Sequence, residues 1–137
     1  MLPTECLCTQ LRRASRGVTR LYDDALTDVG LNVAQYSLLR HLQRLQQPSI
    51  TELAEAVGLE RSTLGRNLRV LEGKGLVQMG AAADQRNRLV LLSEKGVQAI
   101  AQAQDAWLQV QARLKQHLQP QHREALGELL EALETFQ

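Results

Sequence analysis

Residues 61–77 read RSTLGRNLRVLEGKGLV, and the architecture hangs on them. Leu64, Leu68 and Leu71 recur at intervals of four and three, so one side of a helix is apolar while Arg61, Arg66 and Arg69 occupy the remainder. Gly75 falls just past the last of these leucines, where glycine commonly ends a helix, and "LV" then turns toward strand. Gly65 is the anomaly, because an interior glycine costs about 1 kcal/mol relative to alanine. Two readings stay open: a partner needs the side chain to be absent, or a solvated face tolerates its loss.

The flanking residues give this helix a context. Upstream, "ELAEAV" forms a short helix capped by Thr51 and stopped by Gly58. Two short helices joined by a glycine-containing turn make a helix-turn-helix. Downstream, "LVQMG" and "RLVLLS" surround the polar "AAADQRN", which reads as a hairpin with a long connection, in other words a wing.

Further out the chain is helical. A first helix runs from Thr4, its N-cap, to Val29, with Leu7, Leu11, Val18, Tyr22, Ala25 and Val29 on one face and Gly30 as its stop. "NVAQ" is a capping box from Asn32 to Gln35, opening a helix that carries Leu38, Leu39, Leu42 and Leu45 and closes before Pro48. Ser93 caps a long helix reaching about Leu118, with Val97, Ile100, Trp107, Leu108, Leu114 and Leu118 inward. Pro120 opens the last helix, striped by Leu126, Leu129, Leu130, Leu133 and Phe136.

The expected fold is therefore α+β and mostly helical, a single domain over 1–137. A winged helix-turn-helix lobe at 33–92 lies between terminal helices at 1–30 and 94–137. One copy offers little against which to bury both apolar termini, which predicts a homodimer built on those helices.

Composition narrows the function. The formal net charge is +1, but its distribution is uneven. Segment 60–88 holds Arg61, Arg66, Arg69, Lys74, Arg86 and Arg88 against Glu60, Glu72 and Asp84, whereas the stretch from 120 on is acidic, with Glu124, Glu128, Glu131 and Glu134. A basic centre points to a polyanionic partner. No apolar run approaches the roughly 20 residues that span a bilayer. With no secretion signal in "MLPTECLCTQ", the expectation is a cytoplasmic protein without a membrane partner. There Cys6 and Cys8 are free thiols. C-x-C with no clustered histidine is a poor zinc site, since zinc takes about four ligands, so neither metal nor cofactor is expected.

"GLNVAQYSLLRHL", "ITELAEAVGLERSTLGRNLRVLEGKGLV" and "DQRNRLVLLSEKG" resemble, in order and spacing, the MarR-type transcriptional regulators. The resemblance spans nearly the whole chain, including the position of Trp107, and is most specific from Thr51 to Gly96. It implies a homodimeric repressor that binds a palindromic double-stranded DNA operator, with the helix from Arg61 to Gly73 in the major groove. Arg61, Ser62, Thr63, Arg66 and Arg69 are then the candidate contacts. Arginine offers a fork matched to guanine or phosphate, and hydroxyls donate to phosphate oxygens. The family's wing acid falls on Asp84, its minor-groove arginine on Arg86 and a second basic wing position on Arg88. Gly65 departs from the threonine of many relatives.

The resemblance also raises two effectors. Alignment with the organic-hydroperoxide-sensing branch puts its reactive thiol on Cys8 and one of that thiol's tyrosine partners on Tyr22. Arg12, one turn after Cys8, is placed to stabilise a thiolate. Two further tyrosines of that site fall on Arg12 and Val33 and do not match. Alternatively, Tyr22, Tyr36 and Trp107 line a pocket for a small aromatic ligand; as plain core aromatics they would equally fit the pattern. Two other classes compete with DNA binding. A winged-helix protein-interaction module would not need so many arginines on one helix and its wing. An enzyme would need a Ser-His-Asp or Cys-His set, a phosphate loop or paired carboxylates, and none is legible.

Overall fold

The computed structural model describes residues 2–81, 84 and 87–136. Its elements follow from their end signals. α1 (Leu7–Leu26) continues into a 3-10 turn (Thr27–Val29), and Gly30 closes it with φ 79°. The left-handed region suits glycine. Helix α2 (Val33–Leu45) opens on the full capping box: Asn32 Oδ1 accepts from the Gln35 amide and Gln35 Oε1 accepts from the Asn32 amide. Helix α3 (Ile50–Val57) is closed by Gly58 at φ 71°, and α4 (Arg61–Gly73) follows after a turn of Gly58, Leu59 and Glu60. Strands β1 (Val77–Met79) and β2 (Val90–Leu92) pair antiparallel, Val77 opposite Leu92 and Met79 opposite Val90. Ser49 adds a bridge to Leu89, so the residues entering α3 extend the small sheet. Helices α5 (Glu94–His117) and α6 (Pro120–Glu134) complete the chain.

The core lies under the helix-turn-helix. Leu64, Leu68 and Leu71 of α4 pack with Leu39, Leu42, Leu53, Val77 and Val90, all essentially without solvent contact. Burying each such side chain contributes about 1.5–3 kcal/mol, so α4 is held by its inner face and its outer face is free to vary. Tyr36 stacks obliquely on Trp107, ring centroids 5.9 Å apart, and joins α2 to α5.

Three expectations need correction. Helix α1 starts two residues later than a Thr4 cap implies; its N-cap is Cys6, whose amide donates to Thr4 Oγ1 at 3.1 Å. Helix α3 is capped by Ser49, not Thr51: Ser49 Oγ accepts from the Glu52 amide and Glu52 Oε1 accepts from the Ser49 amide. In α5, Val97 and Leu108 are exposed within one chain, and the buried face is Gly96, Ala99, Ile100, Ala103 and Val110. Small residues form this face because neighbouring backbone comes close: a Cβ on Gly96 would penetrate the Leu76 carbonyl oxygen and lie 2.7 Å from Leu92 Cδ1. The terminal helices behave as expected of a single copy: the apolar stripe of the last helix covers nothing in its own chain. No residue of α6 is buried, and Leu129 and Phe136 are 62% and 81% exposed. Leu7, Leu11 and Val18 of α1 are exposed as well. Uncovered apolar stripes on both terminal helices mark an interaction face.

Candidate nucleic-acid interface

Helix α4 presents its polar side outward because its leucines are committed to the core. Arg61, Ser62, Arg66 and Arg69 are exposed and Thr63 is half-buried. Ser62, Arg66 and Arg69 are spaced by four and three residues and so share one face. Thr63 Oγ1 accepts from Arg66 Nη2 at 3.5 Å, a long bond that leaves the rest of the guanidinium fork available. Arg61 and Arg69 have no carboxylate partner among the described residues. Unpaired guanidinium groups on a rigid helix suit phosphate and guanine edges. The helix N-terminus adds to this, since Glu60 makes no side-chain cap and the first-turn amides keep their partial positive charge. Gly65 lies among these residues. A Cβ there would meet nothing within 4 Å, so the isolated chain places no steric demand for glycine.

The wing carries the other candidates. Arg88 Nε donates to the Gly80 carbonyl at 3.0 Å, across the base of the hairpin. Its backbone carbonyl accepts from the Ile50 amide at 3.0 Å, tying the wing to α3. Asp84 accepts from the amide and side chain of Asn87, both at 3.2 Å, and so shapes the connection. Arg86, the expected minor-groove arginine, lies outside the described residues.

The two effector readings fare differently. Cys6 and Cys8 are both exposed free thiols. Hydrogen bonding from Thr9, side chain first, holds the Cys6 thiol below its usual range. Cys8 and Tyr22 occupy the same helix, fourteen residues and roughly 21 Å apart at 1.5 Å per residue, so they cannot bond within one chain. The buried Tyr22 hydroxyl instead donates to Gln111 Oε1 of α5, and burial raises its phenol above the usual range. Arg12 remains one turn from Cys8 on the exposed surface.

The aromatic pocket is only partly assembled. Tyr36 and Trp107 line a cleft of about 110 Å³ together with Arg40, His41 and Arg44, but Tyr22 is not part of it. Arg40 Nη1 donates to the Tyr36 hydroxyl at 3.0 Å and its guanidinium carbon sits 5.9 Å from the ring centroid. Drug-sized ligands occupy roughly 300 Å³ or more, so this cleft would have to open to admit one.

Sequence reasoning missed a set of ties at the end of α4. Lys74 Nζ donates to the Gly30 carbonyl at 2.9 Å, Lys95 Nζ to the Lys74 carbonyl at 2.9 Å and Ser93 Oγ to the Gly75 carbonyl at 2.7 Å. Separations of 18 to 44 residues leave no periodic signal for such contacts.

Known proteins share this arrangement. The family model of the MarR family matches residues 29–86. The uncharacterized HTH-type transcriptional regulator YxaD of Bacillus subtilis is 28% identical over 132 residues, covering 96% of this chain and 92% of that protein. The Mycobacterium tuberculosis transcriptional regulator MosR, solved in complex with DNA, is 37% identical with a TM-score of 0.82, covering 95% of this chain and 97% of that one. The transcriptional repressor CouR, solved with p-coumaroyl-CoA, is 27% identical with a TM-score of 0.84, covering 96% and 93%.

Proposed function

The chain belongs to the MarR family, and from that premise we propose that it is a homodimeric, sequence-specific DNA-binding repressor, released from a palindromic operator by a small-molecule ligand. One observation carries the reading. α4 has a fully committed apolar face and an opposite face of exposed, carboxylate-free arginines with Ser62 among them. That combination fits a helix laid in a major groove, where backbone contacts fix register and side-chain forks read bases.

The supporting observations agree. The uncovered apolar stripes of α1 and α6 fit burial against a second copy, which would give two recognition helices related by a two-fold axis. One relative was solved on DNA and another with an acyl-CoA ligand. A ligand acts by binding more tightly to the dimer geometry in which the two helices no longer match successive major grooves. The relatives are transcriptional regulators, and no helix among the described residues is long and apolar enough to cross a membrane.

Selection of bound duplexes from a randomised library, with the full-length protein, tests this reading. It predicts an inverted repeat with half-sites about 10 base pairs apart. Enrichment of no sequence, or of an isolated half-site, contradicts it.

A further inference from the structure

Helix α4 exposes one large apolar side chain. Val70 is 51% exposed, while Leu64, Leu68 and Leu71 of the same helix are buried. Ser62, Arg66 and Val70 follow one another at intervals of four, so they form a single row along the outward side of the helix. Water gives no reason for valine at this place. Its branched side chain lowers helix propensity, and an exposed side chain gains nothing from burial. Beside Val70 a recess of about 210 Å³ separates α4 from the start of α2, lined by Ala34 and the buried Leu38. Asn32 and Gln35 border the recess, but their side-chain oxygens are engaged in the α2 capping box. The row therefore ends in an apolar surface, one helical turn beyond the guanidinium of Arg66.

The major groove of DNA presents one apolar group, the C5-methyl of thymine. A 5-methylcytosine carries the same methyl at the same place. We propose that Val70 is a specificity-determining residue that seats a pyrimidine C5-methyl group, that of one thymine in each operator half-site. The proposal deepens the repressor reading above and rests on it. Ser62 and Arg66 act through hydrogen bonds to base edges or phosphates, which a methyl group does not offer. Val70 supplies the apolar contact they cannot make. Removing one methyl from water is worth about fourfold in affinity for one half-site, and about fifteenfold for both.

The test uses full-length protein and the duplex recovered by the selection above, read by fluorescence anisotropy. Each thymine is replaced in turn by deoxyuridine, which removes the methyl and keeps every hydrogen-bonding group. At one symmetry-related pair of positions the change should weaken binding by about fourfold for one half-site and about fifteenfold for both. With cytosine at that position instead, 5-methylcytosine should recover about fourfold per half-site over cytosine. Val70→Ala should bind the thymine and deoxyuridine duplexes alike, with the affinity of wild type for the deoxyuridine duplex, whereas Val70→Ile should keep the preference. Sensitivity at no thymine, or a thymine preference that survives Val70→Ala, overturns the assignment and leaves the repressor reading in place. So does a preference lost in Thr63→Ser but not in Val70→Ala, which would give the methyl to Thr63. A Val70→Ala loss far larger than the deoxyuridine loss would make the residue structural and overturns it equally. Wild-type protein that binds no duplex overturns the repressor reading itself, and this assignment with it.

Discussion

The hydroxyl of Tyr22 donates to the side-chain oxygen of Gln111, joining the first helix to the fifth across 89 residues of chain. Replacing Tyr22 by Phe removes the donor and leaves the half-buried Gln111 oxygen without this partner. The cost should be about 1–2 kcal/mol, read as a fall of several degrees in melting temperature. The pH dependence has a definite sign. Burial raises the folded-state pKa of this phenol above its unfolded value, so its contribution is whole below pH 10 and is lost as pH rises through the folded pKa. Wild type should therefore lose stability more steeply than Tyr22→Phe in alkaline solution. Parallel profiles would remove the burial argument.

Gly96 is required by its neighbours. Alanine there drives a Cβ into the Leu76 carbonyl and against Leu92, both backed by the core. Gly96→Ala should destabilise by about 1–3 kcal/mol or more, measured by urea denaturation. A neutral result would mean that the start of α5 moves freely relative to the wing.

Much of this was legible. The leucine spacing in α4, the Asn32–Gln35 box, the stops at Gly30, Gly58 and Gly75, and the Ser93 cap are local signals, and each appears where the sequence puts it. The α3 cap was misread although its sign is present: Ser49 stands three residues before Glu52, the spacing of a capping box, and Thr51 only looks like a cap. The inner face of α5 was obscured for a different reason. Hydropathy favours Val97 and Leu108, yet close packing selects Gly96, Ala99 and Ala103, whose value lies in being small. In the site, residue identity on α4 was readable and the lysine ties were not, because they depend on tertiary approach.

Gly65→Ala should stabilise the isolated protein by up to about 1 kcal/mol, since the added methyl meets open space on a regular helix. Operator affinity then decides what the glycine is for. Unchanged binding assigns it to tolerance, and weakened binding at raised stability assigns it to close approach of helix and groove. A lower melting temperature contradicts the geometry of α4.

Leu129→Glu and Leu133→Glu place a charge on the uncovered stripe of α6. Each should shift the protein from dimer to monomer in sedimentation and abolish tight operator binding, because an unpaired charge in an apolar seam is costly. A DNA-binding dimer that survives both changes would put the interface elsewhere.

The most direct test of the account is the salt dependence of operator binding by wild type and Arg66→Ala. Arg66 is exposed, so its removal should leave the unfolding free energy within about 0.5 kcal/mol of wild type. Affinity should fall by about 1–3 kcal/mol for each lost base contact, or, for a phosphate contact, the slope of log K against log salt should shallow by about one per half-site. An Arg66→Ala protein with wild-type affinity and wild-type slope contradicts the placement of α4 on DNA.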